Sequence, residues 1–179
     1  VAKKLFSLKK KQVQIHNQTL YLDCSGFVRA VYLIALNKDL FQEALNKGIY
    51  KKLKSSGFQG SQGALAMYIY FKSMDKIRSF PQKGDVVFFD NTYDKNQNNK
   101  WDDLLTHVGI ITHIHSDGTF TFIHAGTSKG IAQDVFNLKY PKQISLNQKK
   151  INSHLQRPIQ GQKKPYKLTG ELARAFGGF

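Results

Sequence analysis

A single cysteine, Cys24, stands in 179 residues. A lone thiol forms no disulfide within the chain, so a disulfide-stapled scaffold is excluded and Cys24 is present for packing, by chance or for reactivity. No run reaches the roughly 18 apolar residues that a membrane span requires. The best candidate, Phe27 to Leu36, is short and contains Arg29. Val1-Ala2-Lys3-Lys4 carry no apolar signal-peptide core, so either there is none or the numbering starts after its removal. Acidic residues are scarce: 12 Asp plus Glu against 27 Lys plus Arg give a formal charge of +15. Such a surface attracts polyanions, whether nucleic acid, anionic glycopolymer or acidic lipid. With no zinc-ligand set, helix-turn-helix glycine turn or aromatic-rich RNA-recognition block, basicity alone supports nucleic acid, which is therefore not expected as a partner. There is no internal repeat and no long low-complexity stretch.

What is present gathers around the cysteine. Phe27, Val28, Ala30, Val31, Leu33, Ile34 and Leu36 form a dense apolar stretch free of Gly and Pro, which predicts a largely buried helix from Ser25 to Leu36. Cys24 then sits at the helix N-terminus, where unpaired N–H groups and the positive end of the macrodipole favour thiolate over thiol. The competing reading is a small apolar residue packed under a helix start.

Two histidines downstream bear on that choice. Thr106-His107-Val108-Gly109-Ile110-Ile111 and Phe122-Ile123-His124-Ala125-Gly126 are apolar, β-branched segments separated by the turn signal Ser116-Asp117-Gly118. They predict a hairpin with one histidine on each arm. A cysteine nucleophile needs a base within hydrogen-bond reach and a third polar group to orient that base, and Cys24, His107 and His124 can fill these roles. With a two-residue turn at Asp117-Gly118 the histidines share a face but are offset by roughly 13 Å along the strand, too far for ring contact. A bulge, a longer turn including Ser116, or strong twist would shorten that distance. His113 and His115, nearer the tip, read as exposed polar residues.

Four blocks, Asp23-Cys24-Ser25-Gly26-Phe27-Val28, Lys83-Gly84-Asp85-Val86-Val87-Phe88-Phe89, His107-Val108-Gly109-Ile110 and Phe122-Ile123-His124-Ala125, occur in an order that resembles the NlpC-type cell-wall cysteine peptidases. The resemblance extends from about Tyr21 to Leu138. It implies a papain-like α+β fold, N-terminal helices packed on an antiparallel sheet. It further implies Cys24 as nucleophile, His107 as general base and later acid, and His124 as the residue orienting His107, with Asp23, Ser25 and Tyr21 on the substrate-binding side. Family members often carry a Tyr and paired glycines upstream of the cysteine. Gln12 to Leu20 has neither here, and His16 is the residue that could stand in, although a surface histidine is the plainer reading.

The order of helices first and strands afterwards is itself an α+β signature. The expected organisation is a basic N-terminal extension over 1–20, docked through Leu5, Phe6 and Leu8. A peptidase core follows over 21–140, and then a basic C-terminal extension over 141–179 packing on the core. A second helix is expected at about Leu40 to Leu53, a glycine-punctuated surface loop from Ser55 to Gly63, a helix or strand from Ala64 to Phe71, short strands from Val86, and a small closing helix from Leu168 to Phe176. Pro141, Pro158 and Pro165 break the last segment.

The stretch between Phe89 and Thr106 is polar. Asp94, Asn96, Asn98 and Asp102 fall at positions 1, 3, 5 and 9 of an EF-hand-type loop, with Asn99 where a left-handed backbone is needed. Leu105 occupies position 12, where a bidentate Glu is expected. The 94–103 loop is therefore a candidate structural calcium site that would stiffen the approach to His107, set against a solvated polar loop. The chemistry itself requires no cofactor.

Together these readings predict a secreted or periplasmic cysteine endopeptidase acting on peptidoglycan or another anionic envelope polymer. By the resemblance, the bond joins D-glutamate to the diamino acid of a stem peptide. Muramoyl-L-alanine amidase or acyltransferase chemistry on the same scaffold, and a non-catalytic basic wall-binding module, are the alternatives.

Overall fold

Val86-Val87-Phe88-Phe89 are four consecutive buried residues. Successive strand side chains point to opposite faces, so such a run demands a strand covered on both sides. The computed structural model describes residues 1–8, 11–49, 51, 62–128, 130–159, 161 and 166–179. In chain order its elements are α1 (Ala2–Leu8), β1 (Gln12–Ile15), β2 (Gln18–Tyr21), α2 (Cys24–Leu36), α3 (Leu40–Asn46), α4 (Gln62–Ser73), β3 (Ile77–Arg78), β4 (Val86–Phe89), β5 (His107–Ile114), β6 (Thr119–Thr127), β7 (Gly130–Asn137), β8 (Ser145–Leu146), β9 (Lys149–Lys150), α5 (Thr169–Leu172) and β10 (Ala173–Gly177).

The main sheet has six strands in the order β3-β10-β4-β5-β6-β7, and its pairings are antiparallel. Val86, Phe88, Val108, Ile110, Ile123 and Ala125 turn to one face, where they meet Phe27, Val28 and Val31 of α2 and Met67 and Phe71 of α4. Val87, Phe89, Ile111, Phe120, Phe122 and Phe136 turn to the other, closed by Leu172 and Phe176 with Leu138 and Leu155. The arrangement is α+β, helices against an antiparallel sheet, as expected. Phe27 is fully buried, and truncating such a residue to Ala costs about 3–5 kcal/mol.

The predicted helix at Ser25–Leu36 forms one residue earlier, from Cys24. Of the predicted Leu40–Leu53 helix, α3 covers Leu40–Asn46, Ile49 and Lys51 are again helical, and residues 50, 52 and 53 lie outside the described residues. Most of the predicted Ser55–Gly63 loop lies outside the described residues, and Ala64–Phe71 is helical within α4. The ends of the chain depart from the expected division. Residues 12–21 form the β1–β2 hairpin, turned on His16 and Asn17 at positive φ, and Ile15 and Leu20 enter the core beside α2. His16 therefore serves as a turn residue. At the other end the closing helix stops at Leu172, and β10 pairs with β3 on one side and β4 on the other. The segment after 140 thus supplies an interior strand instead of packing on a finished core. Ala2 and Leu5 dock α1, whereas Phe6 is exposed.

The Lys83-Gly84-Asp85 block is a structural corner. Gly84 has φ +96, Tyr32 donates its hydroxyl to the Gly84 carbonyl, and buried Asp85 pairs with Arg78 at 2.6 Å while accepting from the Gln82 amide.

Candidate active site

The site begins at the first turn of α2. Asp23 is the N-cap: its Oδ1 accepts from the Gly26 amide at 2.7 Å and from the Ser25 hydroxyl at 3.0 Å. A cap of this kind stabilises a helix by about 0.5–2 kcal/mol. Gly26 is required because a Cβ there would run into the Tyr21 carbonyl. Cys24 is part-buried with a free thiol, and amides of Val108, Ser25 and Cys24 itself lie within hydrogen-bond reach of its sulfur. The Val108 contact sets Cys24 against the residue that follows His107.

The thiol's ionisation runs against the expectation from the helix N-terminus. Burial and the Asp23 carboxylate push the Cys24 thiol up to about 11, outweighing the amides that oppose them. His107 is pushed well below its ordinary value, by burial first and then by His124 and Arg157. The resting pair is therefore a thiol and a neutral imidazole, not a preformed ion pair.

The histidine hairpin resolves the offset that a two-residue turn imposes. His115 N–H donates to Thr119 O at 2.8 Å, so the turn contains three residues, Ser116 to Gly118, with Gly118 at φ +78. A bulge between Ile111 and His113 moves the register once more, giving Ile110 opposite Ile123. Each irregularity removes one residue of offset. One step further along, Gly109 faces His124, and a Cβ at Gly109 would lie 3.1 Å from His124 Cβ and 2.8 Å from the Phe122 ring. The missing side chain leaves the space through which the rings meet: His107 Nε2 is 2.8 Å from His124 Nδ1.

The chain of bonds continues. His124 Nε2 lies 3.0 Å from Asp134 Oδ2 on β7. Burial pushes the Asp134 carboxyl up, but hydrogen bonds from His124 and Ser153 and the charges of His124 and Lys150 outweigh it, holding the group below its usual range. An ionised carboxylate only accepts, so His124 Nε2 donates. In the neutral ring Nδ1 then accepts from His107 Nε2–H, and His107 Nδ1 carries the lone pair.

Asp134 was not among the residues predicted from sequence, and neither were two residues near Cys24, Tyr93 and Arg157. Tyr93 has its hydroxyl pushed up by burial and by the nearby Cys24, Asp103 and Asp23 charges, with Arg157 opposing. Arg157 Nη2 donates to the Gly126 carbonyl at 2.9 Å, and its guanidinium lies 5.3 Å from the Tyr93 ring centroid. A Cβ on Gly126, which has φ +80, would sit 3.2 Å from the Cys24 amide nitrogen, so glycine keeps that amide uncovered.

Of the substrate-side residues, Asp23 and Ser25 flank Cys24 in the capping turn, whereas the Tyr21 side chain is exposed at the end of β2. In the 94–103 loop, Asp94 accepts from the amides of Asn98 and Asn99, Asn96 from that of Asn98, and Asn98 Nδ2 donates to both oxygens of Asp102. Asn99 has the left-handed φ of 60 that its position called for. Among the described residues no three His, Cys, Asp or Glu side chains form a group that could hold a metal ion. Asp103 Oδ2 instead accepts from Lys95 N–H, and Thr92 and Thr106 tie the ends of the insertion together at 2.8 Å.

No curated protein and no solved structure matches the chain, and among the described residues no helix is long and apolar enough to cross a membrane. The sequence model of the NlpC/P60 family matches residues 11–150, a span that holds Cys24, His107, His124 and Asp134 together with the β1–β2 hairpin. The chain belongs to the NlpC/P60 family of cell-wall peptidases and hydrolases.

Proposed function

We propose that this protein is a papain-like cysteine endopeptidase that cuts an amide in the peptide part of peptidoglycan, with the bond between D-glutamate and the diamino acid as its target. The observation that carries the reading is the continuous run of hydrogen bonds from Asp134 through His124 to His107, whose neighbour Val108 has its amide within reach of the Cys24 sulfur. A relay of this kind presents a base to a nucleophile in one fixed tautomer.

Cys24 Sγ attacks the amide carbonyl as its proton passes to His107 Nδ1. Because the resting pair is neutral, proton transfer accompanies attack. The carbonyl oxygen gains negative charge and takes a hydrogen bond from the Cys24 N–H, on the side left open by Gly126. His107 then gives the proton to the leaving nitrogen, the C–N bond breaks and an acyl-enzyme remains. Water, deprotonated by His107, attacks the thioester, and the proton returns to Cys24 as the carboxylic acid departs. His124 and Asp134 hold the imidazolium that forms in both halves.

The test is mass spectrometry of soluble products after incubating purified peptidoglycan with the protein and with Cys24→Ala. Products released only by the intact cysteine, with masses of stem peptides cut after D-glutamate, support the reading. Masses showing scission at the lactyl amide would replace it with amidase chemistry. No release from several wall types would leave the basic wall-binding module as the better account.

A further inference from the structure

We propose that Arg157 is a substrate-binding residue beside Cys24, and that it selects acyl donors carrying a free carboxylate close to the scissile carbonyl. This rests on the endopeptidase reading above and adds the recognition element that the bond requires.

Arg157 lies beyond residues 11–150, so it comes from outside the span matched by the family. Its backbone is fixed by N–H donation to the Thr92 carbonyl at 2.7 Å. One arm of the guanidinium is spent on Gly126 O, and its plane is held near Tyr93. A guanidinium has five N–H donors, so the single bond to Gly126 leaves most of this group's hydrogen-bonding capacity uncommitted among the described residues. Among the described residues it has no acidic partner. The carboxylates around the site are engaged elsewhere: Asp23 by the Gly26 N–H and the Ser25 hydroxyl, Asp103 by Lys95 N–H, Asp90 by Leu105 N–H and Arg174, and Asp134 by His124 and Lys150. An ordinary surface arginine is mobile and solvated, whereas this one is braced at backbone, arm and ring.

Its position says which part of a substrate it meets. Gly126, whose carbonyl it holds, lies against the Cys24 amide, to which the mechanism proposed above assigns the acyl oxygen. Arg157 therefore flanks the acyl group, while the leaving nitrogen must face His107. An ordinary α-linked peptide puts no charge there. A γ-linked glutamyl residue does, because its α-carboxylate remains free and lies a few bonds from the carbonyl under attack. A planar fork beside that carbonyl suits such a carboxylate and offers nothing comparable to its amide.

The experiment compares two synthetic stem peptides that differ only in this group, one with the γ-linked D-glutamyl α-carboxylate free and one with it as carboxamide. The wild-type protein should cleave the carboxylate peptide about 10- to 100-fold better in kcat/KM, chiefly through KM. Arg157→Gln should bring the two substrates level, and Arg157→Lys should restore part of the preference. Calorimetric binding of both peptides to Cys24→Ala reads the same preference without turnover. Equal cleavage or equal binding of the two peptides overturns the proposal, as does a preference that survives in Arg157→Gln. If neither peptide is cleaved but Cys24→Ala still binds the carboxylate form more tightly, the endopeptidase reading falls and the role of Arg157 stands.

Discussion

Asp134 accepts a hydrogen bond from His124 Nε2 at 3.0 Å and, through that ring, decides which nitrogen of His107 carries the lone pair. The two end members never touch. Asp134→Ala frees His124 to adopt either tautomer, so a fraction of the molecules present His107 with its proton on the wrong nitrogen. The expected result is a fall in kcat of about 100-fold or more with KM little changed. Asp134→Asn, whose carbonyl oxygen still accepts, should recover part of the loss. A fall in KM-controlled steps alone would contradict the relay.

Cys24 should react slowly at neutral pH, because burial and the Asp23 carboxylate raise its pKa to about 11. The rate of alkylation by iodoacetamide is expected to climb between about pH 9 and 11 as thiolate appears. Asp23→Asn removes the opposing charge and keeps a side chain that caps equally well. Its alkylation profile should shift to lower pH with little change in thermal stability. An unshifted profile would show that the Asp23 charge does not set the ionisation.

His107 acts as a base only when neutral, and its pKa is depressed well below the ordinary 6.5 by burial, His124 and Arg157. A lowered pKa keeps the neutral form populated further into acid, so the acid limb of kcat/KM belongs below pH 6.5. Arg157→Gln, which removes one of the depressing charges, should move that limb upward. The measurement is a pH–rate profile of both proteins on the same peptide.

Gly109→Ala tests the space between the rings. Its Cβ would come within 2.8 Å of the Phe122 ring, 3.0 Å of the Ile123 carbonyl oxygen and 3.1 Å of His124 Cβ, and the last two have little freedom to retreat. Overpacking of this sort costs about 1–3 kcal/mol, lowering Tm by several degrees. Activity should fall further than stability, because the displaced ring is His124. Wild-type activity at a lowered Tm would show that the clearance serves packing alone.

Much of this site was legible in the sequence because it depends on local signals. The apolar run after Cys24 places that residue at a helix start, and two β-branched segments around Ser116-Asp117-Gly118 make the hairpin that carries both histidines. The distance between those histidines was not legible. It depends on a three-residue turn and a bulge, each worth one residue of register, and neither has a composition of its own. Asp134 escaped for a related reason: Gln133-Asp134 reads as a solvent-facing pair, and only the pairing of β6 with β7 brings the carboxylate to His124. Arg157 follows a basic, proline-broken segment that carries no periodic pattern. The ionisation of Cys24 was misread because the macrodipole is visible from a helix start, whereas burial and the reach of Asp23 are tertiary facts. Ala173-Arg174-Ala175-Phe176-Gly177 lacks the β-branched residues that advertise a strand, and its place was set by the open slot between two others.

That slot has a kinetic meaning. Phe176 pairs with Arg78 on one side and Val87 on the other, so each bond of β10 closes a loop across roughly half the chain. Such pairings raise the contact order and cannot be zipped up locally. Until they form, β3 and β4 present unpaired edges, and the Phe122–Phe136 face lacks its covering residue Phe176. The cysteine helix and the histidine hairpin are synthesised early, yet the sheet that holds them in register is completed by residues near the far end of the chain. A site built this way reaches its final geometry only with the docking of its last strand.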